Sequence, residues 1–146
     1  MKIIIPGGSG HLGELLARNF HNQGHQVTVL SRSPQKRPWP TAHWNGVSLG
    51  KWADLFEGAD VVINLAGRSV DCRYSPANQE QILGSRLAAT AVVAKAIARA
   101  KTPPPLWLQM STATIYAHSF NIDNDEYNGL LGGSESGVPL AWRFST

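Results

Sequence analysis

Lys2–Gly13 reads KIIIPGGSGHLG, and the fold follows from how its two halves join. Ile3, Ile4 and Ile5 form a β-branched run of the kind that a parallel sheet buries on both faces. Glycines follow at 7, 10 and 13. Leu12, Leu15, Leu16 and Phe20 then keep helical spacing up to Gly24, a C-terminal stop. The order is strand, glycine turn, helix. Glycine admits positive φ and lets a ligand's phosphates approach the main chain. The unpaired N–H groups and the positive dipole end of the new helix hold the anion. The third glycine lets the helix pack closely on the strand. A glycine-rich turn alone is only a turn. This one follows an apolar strand, opens an amphipathic helix and precedes a second strand at Gln26–Ser31 (QVTVLS), which is the context a dinucleotide fingerprint demands. The candidate cofactor-binding residues of the turn are Gly7, Ser9, Gly10, His11, Leu12 and Gly13.

The end of the second strand is the next informative place. A site for NAD usually carries an Asp or Glu there for the ribose 2′-hydroxyl. This chain has Ser31-Arg32-Ser33, with Lys36 and Arg37 close behind, and no carboxylate between Glu14 and Asp54. A guanidinium at that point pairs with a 2′-phosphate by charge-assisted hydrogen bonds. Basic residues in a Pro-containing loop are often merely solvated. Here the missing acid and the present base point the same way, to NADP rather than NAD, with Ser31 and Arg32 as its contacts.

Composition bounds the alternatives. The chain has 146 residues, enough for one domain with a core. Hydrophobic content is 42%, ordinary for a globular protein, and no apolar run approaches the roughly 20 residues of a membrane span. The N-terminus reads as a core strand rather than a signal peptide. The one cysteine, Cys72, leaves no internal disulfide and fits a reducing cytoplasm. The net charge of +3 is uneven: 12 basic and 6 acidic residues occur up to Lys101, and only Arg143 opposes four acids afterwards. The basic residues are scattered, so a phosphate-bearing small ligand explains them more simply than a nucleic-acid surface.

Residues 34–50 (PQKRPWPTAHWNGVSLG) read as loop, with room for a short edge strand near His43-Trp44, two residues assigned to packing and loop. Lys51–Glu57 (KWADLFE) reads as a short helix. Asp60–Gly67 (DVVINLAG) is a fourth strand whose small C-terminal residues, Leu65, Ala66 and Gly67, form the second wall of the same crevice. The longest helix runs from Ser75, an N-cap ahead of Pro76, to about Lys101, with Ile82, Leu83, Leu87, Val92, Val93 and Ile97 on its apolar face. Leu106–Met110 (LWLQM) is a fifth strand. It delivers Ser111, Thr112, Ala113, Thr114, Ile115 and Tyr116 beside the crevice. Hydroxyls there suit a catalytic role, but hydroxyl-rich strand ends are also common without one. The five histidines show no metal-ligand spacing.

Taken in order, PGGSGHLG, VTVLSR, INLAG, SRLAATAVVAKAI and STATIY resemble the extended and atypical short-chain dehydrogenase/reductases. The nearest group is the NAD(P)-dependent epimerase/dehydratase family, in its sugar-nucleotide epimerase-like members. The Arg73-Tyr74 pair and Ser85-Arg86 on the long helix belong to the same resemblance, which covers about Met1 to Tyr116. It implies NADP on the Gly7–Gly13 turn, Arg32 at the 2′-phosphate, and Ala66 and Gly67 along the nicotinamide half. Ser111 joins the cofactor set. Thr112 stands where the family places its active-site Ser or Thr, and Tyr116 is either the proton donor or, equally, a residue that packs beneath the turn. The substrate implied is a small molecule, in particular a sugar nucleotide, with a homodimer as a further expectation.

Two departures qualify the resemblance. A reductase base is a Tyr with a Lys four residues on, where the Lys lowers the phenol's pKa. No lysine follows Lys101: Tyr116 is followed at that place by Phe120, and Tyr127 by Leu131. Family members also continue into further strands and a substrate domain, whereas Gly129–Thr146 carries four glycines and ends at Leu140–Phe144, the approach to another helix. The expectation is an α/β fold, a Rossmann-type doubly wound parallel sheet in the order 3-2-1-4-5 with the substrate part missing. Residues 1–116 form the NAD(P)-binding domain and 117–146 a Gly-rich continuation. Two functions stay open: an epimerase or oxidoreductase working by hydride transfer, and a non-catalytic NADP-binding module, either a remnant or a sensor acting through a partner.

Overall fold

The computed structural model describes residues 1–112, 116, 117, 119 and 123–131. Among them, β1 (Lys2–Pro6), β2 (Gln26–Ser31), β3 (Thr41–His43), β4 (Val61–Asn64) and β5 (Leu106–Gln109) form one sheet. Its order is β3-β2-β1-β4-β5, and every pairing is parallel. Helix α1 (His11–Asn22) connects β1 to β2, and α2 (Pro76–Arg99) connects β4 to β5. The short helix expected over Lys51–Glu57 is a 3-10 helix over Lys51–Phe56, ahead of β4. This is the doubly wound Rossmann arrangement. Ala113, Thr114, Ile115 and the expected helix approach at Leu140–Phe144 lie outside the described residues.

The three isoleucines of β1 explain why the sheet has two cores. Side chains alternate along a strand. Ile4 faces Phe56, Trp52, Val62 and the α2 residues Val92 and Val93, whereas Ile3 and Ile5 face Ala17, Val27, Val29 and Trp39 beside α1. Neither face of β1 meets water from Ile3 to Pro6, and its one polar residue, Lys2, stands at the partly buried start of the strand. The Pro-punctuated stretch after β2 is loop apart from the edge strand β3, and its tryptophans anchor both layers. Trp39 is buried on the α1 side, and Trp44 packs edge-on against Trp52 at 5.4 Å on the other. His43 is exposed and leaves the packing to Trp44.

Both helices bury only part of the set that spacing singles out: Ile82, Val92 and Val93 are buried on α2, and Leu16, Phe20 and Ile97 are partly buried. The contact row of α1 is Gly13 and Ala17, with Leu16 and Phe20 partly buried, while Leu12 and Leu15 remain 44% and 51% exposed. The reason is distance. A Cβ on Gly13 would lie 2.4 Å from the Gly8 backbone, so α1 sits too close to the β1 turn for larger side chains to fit between. Helix α2 starts as expected: the Asn78 N–H donates to Ser75 Oγ, and Pro76 occupies the first turn. It buries Ile82, Ala89, Val92, Val93 and Ala96, and leaves Leu83 and Leu87 outward. By length and composition α2 is apolar enough to cross a membrane. Its buried stripe lies instead on the sheet, as in the core helix of a layered fold.

Candidate functional site

Two turns face each other at the C-terminal edge of the sheet. The first follows β1. Gly7 takes φ +73° and donates its N–H to the Leu30 carbonyl at 2.9 Å. A Cβ there would lie 2.6 Å from the Ala66 Cα, so the two turns meet main chain to main chain. Gly10 is the N-cap of α1 and offers no side-chain cap. A Cβ at Gly10 meets nothing within 4 Å. The N–H groups of His11, Leu12 and Gly13 have no partner within the helix by its geometry. Residues of this kind fit the pyrophosphate of a dinucleotide.

Ser31 ends β2 nearly buried and ties that strand to the turn. Its hydroxyl donates to Ser9 Oγ at 3.1 Å and accepts the Ser33 N–H at 3.2 Å. Arg32 follows and is exposed. Arg37, the other guanidinium near this strand, is engaged elsewhere: its Nε donates to Glu14 Oε1 at 2.6 Å. That pair borders an open polar groove on the outer flank of α1, shared with Arg18, His21 and Trp39.

The second turn follows β4 and depends on Asn64, a fully buried side chain that sequence reasoning passed over as a strand end. Asn64 Oδ1 accepts the Ala66 N–H at 3.1 Å, and Nδ2 donates to Gln109 Oε1 on β5 at 2.9 Å. The Leu65 N–H donates to the Pro6 carbonyl at 2.9 Å. Leu65 therefore joins the α1-side core and Ala66 the α2-side core. A polar residue closing an apolar VVI run was the available signal, since a buried amide must find partners.

Ser111 and Thr112 follow β5 and are exposed. Tyr116 is half-buried, pairs in an antiparallel bridge with Leu131, and lays its ring over Gly129. Tyr127 is 93% exposed, and its N–H donates to Asp125. The structure thus brings together Gly7–Gly13, Ser31 and Leu65–Gly67, and it engages Tyr116 with residues 129 and 131. Among the described residues no group of three His, Cys, Asp or Glu side chains is placed to hold a metal ion.

A parallel doubly wound sheet whose glycine turn and small-residue turn meet at its C-terminal edge defines a nucleotide-binding Rossmann protein. The chain belongs to the NAD-dependent epimerase/dehydratase family, whose model matches residues 3–131. It is 32% identical over 133 residues to the epimerase family protein SDR39U1 of Bos taurus, covering 86% of this chain and 42% of that one. With the epimerase family protein YfhF of Bacillus subtilis it shares 34% identity over 128 residues, 82% of this chain and 40% of that one. The chain therefore spans about two fifths of the length of these relatives. Among solved structures, human SDR39U1 with NADPH superposes at a TM-score of 0.76 and 28% identity, covering 99% of this chain and 46% of that one. UDP-glucose-4-epimerase from Stenotrophomonas maltophila reaches a TM-score of 0.78 at 17% identity over 99% of this chain and 45% of its own, a likeness of fold.

Proposed function

We propose that this chain is the NADP-binding portion of an epimerase or oxidoreductase acting on a carbinol or carbonyl by hydride transfer, with a nucleoside-diphosphate sugar as the substrate class. The observation that carries the reading is the open space over Gly10 at the uncapped start of α1, directly after the turn where Gly7 meets Ala66. The Gly7–Gly13 turn binds the pyrophosphate, and Leu65–Gly67 with Ser111 line the nicotinamide half. Arg32 takes the 2′-phosphate: Ser31 is tied to the glycine turn, no acid ends β2, and Arg37 is committed to Glu14. The NADPH in human SDR39U1 supports this choice, and the UDP-glucose and NAD in the MoeE5 structure support the substrate class. When bound, the nicotinamide supplies the hydride acceptor or donor. Thr112 orients the substrate oxygen, and Tyr116 holds the proton to be exchanged at that oxygen.

A second reading, a non-catalytic NADP-binding module in the cytoplasm, draws support from one feature: no lysine stands four residues after either Tyr116 or Tyr127. Calorimetric titration with NADPH and NADH tests the shared part of both readings. NADPH binds and raises the unfolding temperature as linkage requires, and NADH binds more weakly. A folded chain that binds neither overturns both readings. Incubation with NADP and a panel of UDP-sugars then separates them: growth of NADPH absorbance (net oxidation) or appearance of an epimeric UDP-sugar (hydride returned to the substrate) favours the enzyme, and binding without either favours the module.

A further inference from the structure

Arg68 ends the second crevice wall, and α2 holds it at four points. Its N–H donates to Ser85 Oγ at 2.9 Å, and its carbonyl accepts from Arg86 Nη1 at 3.2 Å. Its own Nη2 donates to Asn78 Oδ1 at 2.9 Å, and its Nη1 donates to Gln81 Oε1. Asn78, Gln81 and Ser85 follow one another at i, i+3 and i+7, a single stripe of the helix. Ser85 Oγ and Arg86 Nη1 each also donate to the Ile82 carbonyl, both at 3.0 Å. Ile82 itself is fully buried, so both side chains are oriented by a fixed part of the helix. The same Arg86 closes over Gly67: a Cβ on Gly67 would lie 3.3 Å from Arg86 Cγ.

A loop lying on a helix ordinarily spreads its contacts. Here both main-chain groups and both terminal guanidinium nitrogens of one residue are taken, and that residue directly follows Gly67. Two positions before it, Ala66 abuts Gly7. We infer that Asn78, Gln81, Ser85 and Arg86 are positioning residues that fix Arg68, and through it the Ala66–Gly67 turn, at a set distance from the glycine turn. They govern the nicotinamide half of the crevice. The adenosine half rests on the glycine turn and the end of β2, whose ties come from Leu30, Ser9 and Ser33 rather than from α2. The inference builds on the cofactor reading above.

The test titrates the chain and its Ser85→Ala, Ser85→Thr and Arg86→Met variants with NADPH and with 2′,5′-ADP, which carries only the adenosine half. Loss of one or two such bonds weakens NADPH by about tenfold in Ser85→Ala and Arg86→Met. Binding of 2′,5′-ADP stays within about twofold. Ser85→Thr keeps the hydroxyl and restores NADPH affinity. Exchange of the Arg68 amide hydrogen quickens in Ser85→Ala. Unchanged NADPH affinity in Ser85→Ala, or equal losses for both ligands, overturns the positioning role while leaving the cofactor reading intact. Should Ser85→Ala fail to fold, Gln81→Leu, which removes an exposed contact, replaces it in the same titration. If the unaltered chain binds neither ligand, the cofactor reading falls and this role falls with it.

Discussion

β1 and β5 are strands of one sheet with equally apolar sequences, III and LWL, and they meet opposite fates. Ile3, Ile4 and Ile5 are at most 1% exposed, whereas Leu106, Trp107 and Leu108 are 45%, 36% and 47% exposed. β1 lies between two strands and two helical layers, while β5 pairs with β4 alone among the described residues. The difference teaches that apolarity nominates a strand and its neighbours decide what it contributes. The two crevice walls repeat the contrast. The first is built within a few residues, by glycines that let main chain approach main chain. The second is held from far along the chain, by Gln109 through Asn64 and by α2 through Arg68.

Substitutions at the turn separate packing from ligand approach with the largest effect. Gly13→Val drives a side chain into the Gly8 backbone and destabilises the fold by about 3 kcal/mol, read as a drop in the urea midpoint. Gly10→Val extends into open space, keeps that midpoint and abolishes binding of either dinucleotide. Equal stability losses in the two variants sink the distinction between them. The strand contrast is tested next. Ile5→Ala leaves a core cavity costing roughly 3 kcal/mol, and Leu108→Ala costs under about 1 kcal/mol because half the side chain already meets water. Comparable costs would show that β5 is covered as well as β1.

Arg32→Ala sharpens the cofactor reading by removing a charge-assisted bond. NADPH weakens about tenfold and NADH hardly at all; parallel losses remove the 2′-phosphate assignment. The smallest effect concerns Glu57, whose carboxylate accepts the Lys101 and Thr102 N–H groups at 2.8 Å each and so ties the 3-10 turn to the loop before β5. These bonds, the one from Lys101 foremost, lower its pKa below the ordinary 4.5. A lowered folded pKa means stability that is present above the ordinary value and lost as pH falls through the folded one. Glu57→Gln therefore unfolds at lower temperature than the parent at neutral pH, and the gap closes on acidification. A gap independent of pH assigns Glu57 a role other than its charge.

Strand order, helix placement and the glycine turn were all legible in the sequence, because each rests on local rules. β-branched runs make buried strands, glycine permits the turn at Gly7, and right-handed crossovers leave one arrangement for βαβ units. The absence of an acid after β2 was legible for the same reason. Tertiary structure alone decided that α1 packs through Gly13 and Ala17 while Leu12 and Leu15 face outward. It likewise decided that Glu14 captures Arg37, that Asn64 bridges Ala66 to Gln109, and that α2 pins Arg68 from Asn78, Gln81, Ser85 and Arg86. Periodicity and backbone sterics act within a few residues and can be read in order. A hydrogen bond or a covered face depends on which distant residue arrives opposite, and only the folded chain settles that.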